Sequence, residues 1–487
     1  MIHKSLISVT LILGLIAAAC GSDSSATAGT GGTGGGTGGT GGGTGGTGGG
    51  TGGTGGTSFE PPEFGSWVKY EPEGATCSDG SPYAFYVEFS ETSDNVIVFF
   101  MGGGACWDYE SCVGGGARGA ANPNGLPDDY ANVHTRISGL PVNVNQVYPL
   151  LNGDPAVSPM ADWNKVFVPY CTGDVYAGTV VNTYEDPDGI ESDSVIRHVG
   201  HDNIVAMTEM LNEMFSSVPK LFVGGCSAGG AGAIVNYYFL RTGIEGVERG
   251  YLLNDSGPIY PDQADTSRSL LLHDEVRTVW GGDSLIDDAP QSERIRADLG
   301  EMNAVLAEEF PNDRLASTFF RLDYNFSLYS YERFWTLEDP SGALIPYSGD
   351  GLGLDQDLST NRTAIHTLWW DDIDLLRAQY DANGRDNLGY FIPFYRNTNS
   401  SHCVTVPGFE DVEDPVTLFL TDFPALAWAG SEIEADGLNL RDYVDHLLSD
   451  DPLESYFEED GEGPFVPCTP PADPQACKDA VNPPPML

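Results

Sequence analysis

The stretch VGGCSAGGAGAIVNYYFLR, from Val223 to Arg241, places a serine among glycines and alanines, between an apolar run and a helical pattern. Gly225, Ser227 and Gly229 in it match the pattern G-x-S-x-G. With a strand before and a helix after, this pattern is typical of a nucleophile elbow, a sharp turn that exposes the serine. The helix N-terminus offers free N–H groups and partial positive charge. The alternatives are a plain glycine-rich turn and a phosphate loop, but the stretch from Val223 to Arg241 lacks both the P-loop lysine and a G-x-G-x-x-G pattern.

Apolar runs and helical patterns alternate on both sides of this stretch. The predicted strands are Tyr83–Ser90, Asn95–Met101, Lys165–Tyr170, Leu221–Gly224, Gly250–Asn254, Leu315–Leu322 and Gly389–Tyr395. A polar turn separates the first two, which are predicted to pair with each other. Apolar spacing predicts helices over Asp193–Ser217, Glu301–Phe310 and Arg362–Ala382. This alternation predicts an α/β fold with a mostly parallel sheet flanked by helices, in one catalytic domain with insertions.

A serine nucleophile needs a base, and the base needs an acidic residue to orient it. In folds with this elbow the chain order is serine, then the acid, then histidine, each just past a strand. His402 fits as the base, because a strand and a polar loop precede it. Asp323, after the second strand beyond the elbow, is the predicted acid. Asp255, after the first such strand, remains the alternative acid or a turn-forming residue.

Three consecutive glycines, residues 102–104, follow the predicted strand NVIVFFM. Glycines at such a position let backbone N–H groups approach a substrate oxygen, as in the glycine-rich loops of esterases. The N–H groups of Gly103 and Gly104, together with that of Ala228 behind the serine, are the predicted oxyanion donors. A simple bend after the strand is the alternative.

Seven segments occur in order along the chain: CSDGSPYAFYV, MGGGACWDYESC, VPYCTGDVYAG, GHDN, GGCSAGGAGA, NDSG and SSHCV. Together, from Cys77 to His402, they resemble the pectin acetylesterase family of Notum-like carboxylesterases. The resemblance implies an α/β-hydrolase-like fold and hydrolysis of a carboxylic ester without a cofactor. The family's functional residues map onto the serine, acid, histidine and oxyanion positions already named.

The expected substrate is an O-acyl ester, in the first instance an O-acetyl ester, on a carbohydrate or a related molecule. Residues 58–487 carry the whole net charge of −49, because Lys4 and Asp23 cancel before them. This charge argues against nucleic acid as a partner and against a polyanion such as deacetylated pectin. An esterase for longer acyl chains and an inactive, tethered carbohydrate-binding protein remain alternatives.

The first 57 residues are predicted to lie outside the folded domain. A basic start, the apolar run LISVTLILGLIAAA and Cys20 resemble a lipoprotein signal peptide over residues 1–20, with lipidation at Cys20. An ordinary signal peptide is the alternative. Residues 21–57, rich in glycine and threonine, predict a flexible linker with a reach of about 33 Å. Residues 58–487 form the predicted esterase domain. We expect an exported, lipid-anchored protein of the bacterial envelope or cell surface.

Eight cysteines follow Cys20, and an even number in an exported chain suggests disulfides. The pairings considered are Cys106–Cys112, Cys468–Cys477 and, as a hypothesis, Cys226–Cys403. The last would join the neighbours of the candidate serine and histidine. CxxC pairs are lacking and the eight histidines are scattered, so neither a metal site nor a cofactor is expected.

Overall fold

A central sheet of nine strands forms the core of the protein. The computed structural model describes residue 59 and residues 61–113, 121–137, 140–190, 192–262, 266–337, 344–346, 362–395, 401–406 and 433–459. The strands of the sheet are β1 (Trp67–Tyr70), β2 (Phe85–Glu88), β3 (Val96–Phe100), β4 (Asn164–Val168), β5 (Lys220–Cys226), β6 (Arg249–Asp255), β7 (Arg314–Thr318), β8 (Leu388–Ile392) and β9 (Tyr456–Phe457). Their order across the sheet is β1-β2-β4-β3-β5-β6-β7-β8-β9.

The sheet is mostly parallel. Strand β2 pairs antiparallel with both of its neighbours, β1 and β4. Every other pairing in the described sheet is parallel. The residues of β3, β4 and β7 are all buried, as expected for strands that are covered on both faces. The predicted α/β-hydrolase-like fold class is therefore confirmed.

Helices flank this sheet. The longer ones are α1 (Gly200–Met214), α2 (Ala228–Gly243), α3 (Leu270–Trp280), α4 (Gly282–Asp288), α5 (Glu301–Glu309), α6 (Arg362–Asn383) and α7 (Leu440–Leu447). Shorter helical turns span Tyr109–Cys112, Val144–Val147, Pro149–Leu151, Ser292–Ala297 and Phe326–Tyr331. In the part of the chain that the structure describes, four two-stranded antiparallel pairs join Thr135–Ile137 with Leu140–Val142, Val180–Tyr184 with Ser194–His198, Trp335–Leu337 with Leu344–Pro346, and Glu434–Ala435 with Leu438–Asn439.

Helix α2 packs directly on β5, β6 and β3, so the candidate serine sits where a central strand meets a central helix. The approach is very close at Gly229 in the first turn of α2. A Cβ atom at Gly229 would lie 2.1 Å from the backbone oxygen of Phe100, well inside van der Waals contact. Only glycine allows this contact between the helix and strand backbones. Further along α2, Ile234, Tyr237 and Leu240 are buried in the core.

The predicted pairing of the first two strands is wrong. The two segments form β2 and β3, but β4 lies between them and pairs with both. Asn164, at the start of β4, binds through its side chain to the turn that joins β2 to β3. Its side chain accepts from Ser90 N at 2.9 Å and donates to the backbone oxygens of Ser93 (2.7 Å) and Asn95 (3.1 Å). These bonds hold the turn open around a third strand.

Of the helix predicted over Asp193–Ser217, only Gly200–Met214 is helical. The residues Ser194–His198 instead form one strand of a hairpin, and α1 begins at Gly200. The buried carboxylate of Asp174 accepts from the N–H of Gly200 at 2.7 Å, which fixes the start of the helix. Ile204, at the predicted helical spacing, is buried as expected.

The other predicted elements are present with shifted ends. The helices over Glu301–Phe310 and Arg362–Ala382 are confirmed as α5 and α6. Strand β7 ends at Thr318, earlier than predicted, so Asp323 follows it after a short connection. None of the helices in the described part of the chain is both long and apolar enough to span a bilayer.

Candidate active site

Ser227 occupies a tight turn between β5 and α2. Its φ of +60° and ψ of −125° lie in a region that residues other than glycine adopt rarely. The N–H of Ser227 donates to Asp255 O at 2.8 Å, which ties the turn to the end of β6. The residue is 8% exposed. The strand, the strained serine and the helix reproduce the geometry of the predicted elbow.

The glycine segment after β3 lies against this turn. A Cβ atom at Gly102 would come within 2.6 Å of Cys226 O and 3.1 Å of the Ser227 Cβ atom. Gly103 and Gly104 then adopt positive φ angles of 152° and 77°. The segment is anchored on its far side, where Gly103 O accepts from the N–H of Ala121 at 2.8 Å. The predicted donor loop therefore borders the serine directly.

His402 and Asp323 are in contact, although they are far apart in sequence. Nδ1 of His402 lies 2.7 Å from Oδ2 of Asp323, and both side chains are buried. The other carboxylate oxygen of Asp323 accepts from the N–H groups of Asn325 and Phe326, each at 2.9 Å. A carboxylate only accepts, so Nδ1 carries the hydrogen and Nε2 is left as the basic nitrogen. This is the arrangement that a general base requires.

A disulfide connects the serine turn to the histidine segment. Cys226 is bonded to Cys403, and their Cα atoms are 5.5 Å apart. Cys226 directly precedes Ser227, and Cys403 directly follows His402. The hypothesised bridge is therefore present, and it holds the two candidate catalytic segments side by side.

Asp255, the alternative acid, contacts the residues that follow His402. Its carboxylate accepts from the N–H groups of Val404 and Thr405, both at 2.8 Å, and from the Thr405 hydroxyl at 2.6 Å. The hydroxyl of Ser256 donates to it at 2.9 Å and accepts from the N–H of Cys403 at 3.0 Å. Burial raises the pKa of the Asp255 carboxyl, and these hydrogen bonds oppose the rise. The structure brings Asp323, and not Asp255, to the Nδ1 atom of His402.

An apolar cavity of about 140 Å³ opens beside Ser227. Gly104, Ser227 and Ala228 form part of its wall. Apolar side chains cover most of the remainder, among them Trp107, Val235, Ile259, Leu272, Val276 and Phe326. Helix α3 supplies much of this lining, and its role was not predicted because sequence patterns do not show which helix faces a site. The amphipathic spacing of α3 is the signal that was available in the sequence.

The cysteine pairs are only partly those considered from the sequence. Cys106–Cys112 is confirmed, Cys77–Cys171 was not predicted, and Cys468–Cys477 lies outside the described residues. Disulfides persist in oxidising compartments, so these bonds indicate an exported protein. Two groups of potential metal-ligating residues occur in the described part of the chain, each containing two of these cysteines and one histidine. Their sulfur atoms are already bonded in disulfides, so they offer no thiolate to a metal.

A strained serine elbow on a mostly parallel sheet, beside a buried histidine–aspartate pair, defines the class of α/β-hydrolase-like carboxylic ester hydrolases. The model of the family "Pectinacetylesterase" matches residues 66–310. The chain belongs to this pectinacetylesterase family.

Curated relatives match over shorter regions. Palmitoleoyl-protein carboxylesterase NOTUM of Mus musculus is 28% identical over 164 residues, covering 33% of this chain and 28% of the relative. The Drosophila melanogaster protein of the same name is 26% identical over 218 residues, covering 42% of this chain and 29% of the relative. Pectin acetylesterase 4 of Arabidopsis thaliana is 25% identical over 181 residues, covering 36% of this chain and 38% of the relative. The chain thus spans about a third of the length of the curated relatives that it matches.

Proposed function

We propose that this chain is an exported serine carboxylesterase that hydrolyses an acyl ester, with Ser227 as nucleophile, His402 as base and Asp323 as the acid that orients the base. The observation that carries the proposal is the buried His402–Asp323 pair, with 2.7 Å between Nδ1 and Oδ2. The disulfide between Cys226 and Cys403 keeps this pair beside the serine elbow. Membership of the pectinacetylesterase family supports the same chemistry.

In the proposed mechanism, Nε2 of His402 takes the proton of Ser227 as its hydroxyl oxygen attacks the ester carbonyl. The N–H groups of Gly103, Gly104 and Ala228 bind the oxyanion, and losing one such donor typically lowers the rate by about 10² to 10³. The alcohol leaves with the proton from His402, and water then repeats the attack on the acyl-enzyme. The products are the free carboxylic acid and the alcohol.

The acyl group is proposed to enter the apolar cavity beside Ser227. A lining in which apolar side chains predominate favours an acyl chain longer than acetyl, because the added methylene groups leave water on binding. The name of the mouse relative, a palmitoleoyl-protein carboxylesterase, is compatible with this preference. An O-acetyl ester on a carbohydrate is the second candidate, and it is favoured by the family description and by the Arabidopsis relative's name.

Hydrolysis of p-nitrophenyl acetate, butyrate and octanoate by the wild type and by Ser227→Ala tests both parts of the proposal. Loss of hydrolysis in Ser227→Ala is expected, and equal rates in the two proteins would refute the serine mechanism. A kcat/KM that rises with chain length supports the cavity as the acyl site. A strict preference for acetate would favour the carbohydrate acetyl ester instead.

The leader and linker predictions lie outside the described residues, and they are part of the proposal. We propose that residues 1–20 direct export, that Cys20 carries the lipid, and that residues 21–57 tether the esterase domain of residues 58–487. The membrane is then contacted only through the anchor. Cys20→Ser is expected to move the protein from the membrane fraction to the soluble fraction. Retention of this variant on the membrane would contradict lipid anchoring at Cys20.

A further inference from the structure

One face of helix α3 lines the cavity beside Ser227. Leu272, His273, Val276 and Trp280 lie on this face, at the three- and four-residue spacing of a helix. Thr278 projects from the opposite side and is exposed to solvent, as is Asp274. The half-buried side chain of His273 therefore meets the cavity, and it does so between apolar neighbours.

Three polar side chains on the cavity wall near His273 have partners within the protein. Arg277 donates to Asp283 Oδ1 and to Arg296 O, both at 2.8 Å. The indole N–H of Trp280 donates to Cys106 O at 2.8 Å. Ser269 shares a hydrogen bond of 3.0 Å with the hydroxyl of Ser267. The wall therefore offers a ligand little hydrogen-bonding capacity at these positions.

The imidazole of His273 differs from these groups. Its backbone N–H donates to Ser269 O at 3.0 Å, but its ring nitrogens have no hydrogen-bond partner among the residues that the structure describes. A neutral imidazole carries one donor and one acceptor. Burial, with a smaller effect of the nearby Arg277 guanidinium, lowers the pKa of His273 to about 4, so the ring is neutral at pH 7. The cavity thus contains a neutral polar group whose bonding capacity is unused.

We propose that the cavity selects acyl chains that carry a hydroxyl or another oxygen substituent, and that His273 recognises this oxygen by a hydrogen bond. The inference rests on the proposed esterase function and names the acyl class that the site takes. An unsubstituted acyl chain lying against His273 displaces water from the ring and leaves its nitrogens unpaired. An acyl chain that carries an oxygen next to His273 gives the ring a hydrogen-bond partner. Leaving a buried polar group unpaired is unfavourable enough to give a discrimination of about 10- to 100-fold in kcat/KM.

The test compares p-nitrophenyl octanoate with the series of p-nitrophenyl hydroxyoctanoates that differ in the position of the hydroxyl. The wild type is expected to prefer at least one hydroxy isomer by about 10-fold or more. His273→Leu is expected to abolish the preference by accelerating octanoate and slowing the hydroxy ester, whereas His273→Gln, which retains a donor and an acceptor, restores part of it. Thr278→Val, on the exposed side of α3, is the matched control and should leave the preference unchanged.

A wild type that prefers no hydroxy isomer, or a preference that survives in His273→Leu, would overturn the proposal. Hydrolysis of p-nitrophenyl acetate reports the chemistry at Ser227 separately. If no ester is hydrolysed, the proposed function fails, and the cavity is then tested by binding alone. Calorimetric titration of Ser227→Ala with octanoic acid and with the hydroxyoctanoic acids should show the same preference. Equal affinities for all of these acids would also reject the role of His273.

Discussion

Asp255 offers a sharp test of how the site is held together, because its carboxylate binds the segment that carries His402. Asp255→Asn keeps the size of the side chain but turns one carboxylate oxygen into an NH₂ group. In either orientation of the amide, that NH₂ faces the N–H of Val404 or of Thr405. The hydroxyl groups nearby can turn and accept a hydrogen bond, but a backbone N–H cannot. One buried N–H is therefore left unpaired.

The expected loss in the free energy of unfolding follows from this one unpaired N–H group. An unsatisfied buried N–H costs about 1–3 kcal/mol, and the remaining bonds to Asp255 lose the strengthening effect of the charge. The substitution also removes the buried Asp255 carboxyl, whose raised pKa shows that burial disfavours its charged form, and this offsets part of the loss in stability. We expect Asp255→Asn to lower the free energy of unfolding by about 2 kcal/mol. A displacement of the His402 segment by about 1 Å should lower kcat by about 10- to 100-fold with little change in KM.

Urea unfolding and steady-state kinetics with p-nitrophenyl esters measure the two effects in the same preparation. Thr405→Val is the matched control, because it removes only the hydroxyl bond to Asp255. It should cost about 1 kcal/mol and change kcat less. Wild-type stability and kcat in Asp255→Asn would refute the positioning argument. A loss of rate without any loss of stability would instead indicate that Asp255 acts as the catalytic acid.

Three further predictions concern catalysis, pH dependence and packing. Asp323→Asn should lower kcat/KM by about 10³- to 10⁴-fold, because the amide favours the wrong tautomer of the histidine; a rate within 10-fold of wild type would contradict its role as the acid. Burial raises the pKa of Asp372 to about 6, so the folded state binds this proton more tightly than the unfolded chain does, and the contribution of Asp372 to stability falls as the pH rises from about 4 to 6. The unfolding free energy of Asp372→Asn relative to wild type should therefore increase by about 2 kcal/mol over that range, and a constant difference in urea unfolding would contradict this. Gly229→Ala should lower the unfolding free energy by about 3 kcal/mol or more, because its methyl group meets Phe100 O, whereas Gly153→Ala has open space and should match wild type in thermal unfolding.

Local sequence patterns were sufficient to predict the serine turn. The glycines around Ser227 have a physical reason that a single sequence reveals, since a serine at φ +60° between a strand and a helix requires small neighbours. The contact of His402 with Asp323 was anticipated by a similar argument, because residues past the ends of parallel strands meet at one edge of a sheet. The catalytic roles of these residues stay predictions until they are measured.

Features that depend on long-range geometry were not predictable. Strand β4 lies between β2 and β3, and its Asn164 binds a turn that is distant in sequence, a contact that no local pattern contains. The pairing of Cys77 with Cys171 was likewise one of many possible connectivities. Asp255 was predicted to follow a strand directly, and it is the last residue of β6. A sequence does not show that its carboxylate binds Val404 and Thr405.

The disulfide between Cys226 and Cys403 also has a consequence for when the protein matures. It joins positions separated by 177 residues, and both cysteines are fully buried in the folded protein. In a reducing compartment the bond does not form. The histidine segment then loses its covalent link to the elbow and keeps its hydrogen bonds, among them those to Asp255 and Ser256 at the end of β6. For the proposed esterase, we therefore expect full assembly of the site to wait for oxidation after export, which would keep a newly made enzyme from acting on esters inside the cell that synthesises it.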